Sequence, residues 1–164
     1  MADGQIDHFS GPYQFLSNFY AAQVGYEGVE YQTVEHAYQA SKTLNLHQRR
    51  FIADSRKPGI AKIRGRNVTL RPDWEQLKLG IMEVLVLQKF TRYPDLREKL
   101  LRTGDLELVE GNNWNDTFWG VVKQADGSET GLNHLGLILM NVRQQLRRTD
   151  EERGHRKAPE GKAG

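Results

Sequence analysis

The amino-acid sequence predicts a mainly α-helical single domain carrying a few short strands, an α+β chain in which helices dominate. Three observations carry that expectation. Six stretches repeat apolar residues at helical spacing between Gly or Pro breaks, the β-branched and aromatic runs are short and cut by glycine, and 164 residues is one domain's length. Such a chain buries roughly 70% of its unfolded surface and needs no staple. The domain is expected over residues 1–146. From Arg147 to Gly164 charge, Gly and Pro replace apolar residues, which predicts a disordered charged tail.

Residues 8–31 place Ser10-Gly11-Pro12, Gly25 and Gly28 between aromatic and β-branched residues, the chemistry of turns and short strands. Within them Phe15-Leu16-Ser17-Asn18-Phe19-Tyr20 sets Ser and Asn among aromatics, where they must be hydrogen-bonded if buried. Phe19 or Tyr20 offers a face to a nucleobase and Asn18 a reader for its edge or for a sugar hydroxyl. Thr33 is an N-cap for a helix running to Lys42, without Gly or Pro. On it Glu35, Gln39 and Lys42 fall at i, i+4 and i+7, so a carboxylate, an amide and an ammonium share a stripe flanked by His36 and Tyr38, while Ala37 and Ala40 admit a close neighbour.

Short helices are expected at 46–53 and 59–64, broken at Lys57-Pro58-Gly59 and ended at Gly65-Arg66. Arg71-Pro72-Asp73-Trp74 starts the longest clean helical pattern, 74–90, whose Leu85-Val86-Leu87 widens the apolar face of a central buried helix. Lys89 closes that apolar run, where a lysine either snorkels to water or sits in a pocket with a lowered pKa. A helix at 95–103 stops at Gly104, 106–110 alternates as a short strand, and 111–120 is too polar for a strand and too aromatic for an ordinary loop. Two of the three Trp residues, Trp114 and Trp119, bracket Asp116 there, a combination that marks a site rather than packing. A polar turn at 124–131 leads to a closing amphipathic helix at 133–146 with Gly136 on its close-contact side.

The absence of Cys excludes disulfides, thiolate nucleophiles and Cys-based metal sites. The five His residues (8, 36, 47, 134 and 155) show no metal-ligand spacing, so no metal and no cofactor are expected. The opening MADGQIDHF lacks a basic region followed by an apolar run, and nothing approaches about 18 consecutive apolar residues. A cytoplasmic protein without a membrane partner, and a monomer, is expected. Net charge is +2, yet residues 1–146 balance 17 basic against 17 acidic residues, so the excess lies in the tail. The neutral body argues against a plain nucleic-acid-binding domain. Charge is nonetheless segregated. Residues 49–71 hold Arg49, Arg50, Arg56, Lys57, Lys62, Arg64, Arg66 and Arg71 against Asp54 alone, and 103–122 hold Asp105, Glu107, Glu110 and Asp116 with no base. A basic belt followed by an acidic one suits a phosphorylated substrate held near carboxylates.

FLSNFY, VEHAYQASK, AKIRGR, RPDWEQLK, MEVLVLQKF, LLRTGDLELVE, DTFWG and GLNHLGLILMNVR, in that order across 9–146, together resemble the NADAR family, also called YbiA-like N-glycosidases. The resemblance implies a compact, mainly α-helical domain that hydrolyses N-glycosidic bonds of phosphate-bearing ribosyl groups. Members cleave ribosylaminopyrimidine phosphates of riboflavin synthesis, and others remove ADP-ribose from guanine bases, including those in DNA. The family's polar positions fall on Asn18, Glu35, Gln39, Lys42, Lys62, Lys89, Asp116 and Asn133, with Trp74 and Trp119 as aromatic walls. Ser17, Phe19, His36, Arg64, Arg66 and Gly120 complete the expected substrate-binding set. Trp114 and Asn115 sit where members vary.

Both substrate types join ribose C1′ to an exocyclic amine, and such a glycosylamine opens to an imine. A lysine of lowered pKa, one of Lys42, Lys62 or Lys89, is then a candidate nucleophile that expels the base and leaves a Schiff base for water, with Glu35 or Asp116 protonating the leaving amine. Neighbouring Arg64 and Arg66 would keep that lysine neutral and hold phosphate. The competing route uses Glu35 and Asp116 as a carboxylate pair around an oxocarbenium-like transition state. A non-catalytic module binding ADP-ribose or a nucleotide through the same residues is the alternative of a different class.

Overall fold

The structure, a computed structural model, describes residues 4–157. A short strand β1 (Gln5–Ile6) leads into a 3-10 helix (Gly11–Leu16), and the hairpin β2 (Val24–Tyr26) and β3 (Val29–Tyr31) precedes five helices: α1 (Val34–Ser41), α2 (Leu46–Ala53), α3 (Pro58–Gly65), α4 (Trp74–Arg92) and α5 (Pro94–Arg102). Strands β4 (Glu107–Leu108), β5 (Gly111–Asn112), β6 (Val121–Lys123) and β7 (Glu129–Thr130) follow, and α6 (His134–Lys157) closes the chain. The mainly helical expectation holds, and the helix boundaries fall within a residue or two of the predicted ones up to α6.

Local chemistry explains most elements. Thr33 caps α1, its hydroxyl accepting from the His36 N–H at 3.2 Å, and Asn45 caps α2 by accepting from the Gln48 N–H at 3.1 Å. Pro58 and Pro94 open α3 and α5, where a missing N–H costs nothing. The β2–β3 turn needs positive φ at Glu27 (45°) and Gly28 (82°), the geometry of a tight two-residue hairpin.

Helix α4 is the centre, packed against α6, α1 and α5. Met82, Leu85, Val86 and Phe90 of α4 meet Val34, Ala37 and Ala40 of α1 and Leu135, Leu139, Val142 and Leu146 of α6 in one core. The strands form three small sheets rather than one. β1 pairs parallel with β4, β2 with β3, and β5 lies parallel to β6, which pairs antiparallel with β7. Their role is to bring 6–10 and 107–123 together over one end of the helical core.

Three expectations are corrected. The segment 11–16, read as turn and strand chemistry, is a 3-10 helix begun by Pro12. Residues 111–112, judged too polar for a strand, pair as β5 because Gly111 has no side chain to strike the Asp7 carbonyl. The tail predicted to be disordered from Arg147 is helical through Lys157. No Gly or Pro interrupts 137–153, and the exposed extension is tied down by a two-point ion pair from Arg97 to Asp150 (2.6 and 3.2 Å) and by Arg147 to Asp105 at 3.0 Å. Residues 158–164 of that tail lie outside the described ones.

The packing of α6 on β4 is tight at one point. A methyl on Gly136 would run into the Leu108 carbonyl and the Asn133 side chain, neither of which yields easily. Gly136→Ala is expected to lower stability by about 1–3 kcal/mol despite the better helix propensity of Ala, read as a lower urea midpoint at unchanged slope.

Candidate active site

All eight residues of α1 are buried, the polar ones included. Its apolar side faces the core, and its polar stripe faces a cleft of about 390 Å³ between α1, α3, the segment 8–10, the segment 17–19 and the β4–β6 loops. Glu35, Gln39 and Lys42 line this cavity from α1, and Gln39 Nε2 donates to Glu35 Oε1 at 2.7 Å. Burial raises the Glu35 carboxyl above its usual range, opposed by that hydrogen bond and by the Lys62 and Lys42 ammoniums. Burial lowers the pKa of Lys42; Lys62, Arg66 and Lys78 push the same way and Glu35 opposes them. Its Nζ stands 5.6 Å over the Tyr38 ring.

Ser17, Asn18 and Phe19 line the same cavity where the 3-10 helix ends. They are anchored from below: the Asn18 carbonyl accepts the Glu35 N–H at 3.1 Å, and the Ser17 carbonyl accepts from Lys89 Nζ at 2.9 Å. The opposite wall is the loop between β5 and β6. Asp116 Oδ1 accepts the backbone N–H groups of Phe118 (3.1 Å) and Trp119 (2.9 Å), and Asn112 holds the loop by donating to the Asp116 carbonyl and accepting its N–H. Asp116 and Trp119 thereby line the same cavity as Glu35 and Lys42, and Lys62 enters from α3 with its Nζ 5.8 Å from the Trp114 ring. Two carboxyls and two amines predicted from three separate segments thus share one hollow.

Other predicted residues stand outside the lining. Lys89 is 1% exposed, and burial lowers its pKa to about 7. It reaches the Ser17 carbonyl rather than the cavity. His36 is fully buried, bound to the Thr33 hydroxyl at 2.7 Å and the Ser55 carbonyl at 2.9 Å, so it fastens α1 to the α2–α3 junction. Trp74 lies behind Tyr38, ring centroids 5.2 Å apart, and only Trp119 is a wall. Arg64 stacks on Phe51 and donates to the Phe51 carbonyl and the Ser55 hydroxyl. Arg66 is exposed and acts on Lys42 only through its charge. Asn133, at φ 53°, donates to the Leu108 carbonyl and accepts the Glu110 N–H, both at 3.0 Å, and Gly120 is needed because a side chain there would strike the Glu110 carbonyl. The basic belt also divides: Arg49 is buried against Glu27 and Arg71 pairs with Asp73.

The expected set of site residues left out Glu110 and Tyr38 among the lining residues, together with the 8–10 segment and Met82, while Trp114, read as part of a site-bearing loop, lines the cavity too. Burial, with Asp116 and Glu35 adding to it and Lys62 opposing, raises the Glu110 carboxyl to about 8. A signal for it existed. In Leu106-Glu107-Leu108-Val109-Glu110 the period of two puts Glu110 on the face of buried Leu108, and an acid on the inward face of a strand is seldom packing. Among the described residues no group of three His, Cys, Asp or Glu side chains is arranged to hold a metal ion, and no helix is long and apolar enough to cross a membrane.

Comparison with known proteins defines the class. A Nostoc punctiforme protein named as an N-glycosidase is 40% identical over 141 residues, 83% of this chain and 87% of that one. The N-glycosidase YbiA of Escherichia coli is 36% identical over 150 residues, 89% of this chain and 91% of that one. A riboflavin biosynthesis protein of Vibrio vulnificus is 35% identical over 134 residues, 80% of this chain and 35% of its own length. The NMR structure of E. coli YbiA superposes with a TM-score of 0.78 at 35% identity, covering 93% of this chain and 90% of that one. Fold and relatives define a glycosidase that hydrolyses N-glycosyl bonds. A family model, NADAR domain, matches residues 6–147, and the chain belongs to the NADAR family.

Lys89 carries a measurable consequence. With a folded pKa near 7 against an ordinary lysine value of about 10.4, the folded state binds fewer protons than the unfolded state between those limits. Stability therefore rises with pH between about 7 and about 10, and that contribution is lost progressively as pH falls from about 10 to 7. Lys89→Met removes the titration, so its stability relative to wild type should decline by about 2 kcal/mol between pH 7 and 9, read from urea midpoints. An offset independent of pH would contradict the lowered pKa.

Proposed function

We propose that the cavity holds a ribosyl group joined through C1′ to an exocyclic base amine, and that hydrolysis proceeds through a Schiff base on Lys42. The observation carrying this reading is the meeting of an amine of lowered pKa with the Glu35 and Asp116 carboxyls in one hollow. Of the three candidate lysines, Lys42 lines the cavity beside Glu35 and has its ammonium disfavoured by burial and by neighbouring cations, which is how a nucleophilic lysine is made. Its attack on C1′ of the ring-opened imine expels the base amine. Glu35 and Asp116 flank the carbon, stabilise the positive charge that develops there and activate the water that releases the sugar. Lys62 serves as a cation for substrate phosphate, and Phe19, Trp114 and Trp119 offer faces to the base.

Arg50, Arg56, Lys57 and Arg66 are exposed and pair with no carboxylate among the described residues, on the helix pair that carries Lys62 into the cavity. These free cations favour a substrate bearing several phosphates, ADP-ribosylated guanine in nucleic acid, over a ribosylaminopyrimidine monophosphate.

The test is a product assay on an ADP-ribosylated guanine oligonucleotide beside a ribosylaminopyrimidine phosphate. Free base and a ribosyl product are expected, with the oligonucleotide preferred at low salt and that preference falling steeply as salt rises. A flat salt response points instead to the free metabolite, and return of both ligands intact points to a binding module. Borohydride added during turnover should trap a sugar on Lys42, with no adduct in Lys42→Met; absence of an adduct in wild type would leave the carboxylate route. Glu35→Gln should lower turnover about a hundredfold or more on either route.

A further inference from the structure

Glu110 is the one carboxyl in the cavity to which the fold gives no hydrogen-bond donor. Glu35 accepts from Gln39, and Asp116 accepts from two backbone amides. Glu110 is held firmly by its main chain, its N–H bound to Asn133 and its carbonyl to the Val121 N–H at 2.8 Å, yet its Oε2 is sealed from water without a partner. A charged oxygen left unpaired in such a place is costly, and the cheapest remedy is a proton. The groups facing it are Asp116 from the β5–β6 loop, Glu35 and Lys42 from α1, Lys62 from α3 and His8 from the segment after β1. Three carboxyls in one small hollow cannot all ionise cheaply, and Glu110 is the one left without a hydrogen-bond donor.

We propose that Glu110 is the general acid of the reaction, a catalytic residue that enters the cycle protonated and delivers its proton to the departing base amine. The assignment rests on the N-glycosidase reading of the cavity and divides the labour within it. As the bond from C1′ to nitrogen breaks, its electron pair leaves with the nitrogen and the Glu110 proton joins it. Glu110 is left as a carboxylate. Water activated by Glu35 or Asp116 then adds its oxygen to C1′, the bond from C1′ to Lys42 Nζ breaks with its electron pair returning to the amine, and the proton released passes to Glu110, so substrate and water become sugar and free amine with the enzyme restored. The lift of this carboxyl to about 8 is consistent with a group that carries its proton at neutral pH.

The test is the pH profile of kcat/KM for release of guanine from the ADP-ribosylated oligonucleotide, or of pyrimidine from the ribosyl phosphate if that is the substrate turned over. The acid form is present below about 8 and lost above it, so wild type should show an alkaline limb near that pH. Glu110→Gln, which fills the same space without a transferable proton, should lose about a hundredfold or more and show no such limb. Glu110→Asp should recover part of the rate and keep a limb. A Glu110→Gln rate within about threefold of wild type, or a limb that survives in it, overturns the assignment while leaving the N-glycosidase reading intact. A wild-type profile flat from pH 7 to 9 overturns it whether or not the variants fold. Wild-type protein that frees no base from either substrate overturns the reading and the assignment together.

Discussion

The structure depends on placing the polar stripe of a short helix against a cavity instead of on the protein surface. Helix α1 has no exposed face, so Glu35 and Gln39 are balanced neither by bulk water nor by a surface ion pair. They are balanced by one another, by the amines across the cleft and by a hollow into which a polar ligand fits. Every residue that anchors α1 serves that arrangement. Thr33 and His36 fix its start, the Asn18 carbonyl takes the Glu35 N–H, and Gly65 lacks the side chain that would push Gln39 aside. A carboxyl buried this deeply costs stability that the aliphatic core of α1, α4 and α6 must supply.

Beneath the cavity lies a second tier whose members touch no ligand space. Lys89 supports the Ser17 carbonyl, Asn133 supports Glu110, and Asn112 supports Asp116. Each carries a polar hydrogen-bonding group into a partly closed position to hold main chain rather than to meet a substrate. This explains why residues of chemically potent type recur outside the lining. A site assembled from short strands and loops lacks the rigidity of long elements, and side-chain bonds to backbone replace it.

The helices were legible because their signals are local. Thr33, Pro58, Pro94 and the apolar spacing of 74–90 act within a few residues, and the structure agrees with them closely. The Glu35-Gln39-Lys42 stripe follows from helical geometry alone. What sequence could not supply was direction across space. His36 and Glu35 are adjacent in the chain, yet one turns to Ser55 and the other to the cleft, and nothing local distinguishes them. Arg49, Arg64 and Arg71 read as part of a phosphate-holding belt, but partners remote in sequence, Glu27, the Phe51 carbonyl and the Tyr26 hydroxyl, draw them into structural bonds. Helix α6 outran its apolar face because helix continuation needs only the absence of breakers and a few ion pairs, whereas disorder was inferred from lost burial.

Chemistry and selectivity sit at different depths of the cavity. Glu35 is held by Gln39 and by the burial of α1, and Asp116 by two backbone N–H groups, so these two carboxyls are placed without a ligand. The aromatic rim is looser. Phe19 is 44% exposed and Trp114 is 57% exposed, the latter beside Asn115 in a left-handed conformation and held by a single 3.3 Å bond to Asn112. An anchored interior with an exposed rim lets contacts to the outer part of a ligand vary while the groups at the bottom of the cavity stay in place. On this physical ground relatives named for riboflavin biosynthesis and relatives named simply as N-glycosidases fit within a single fold.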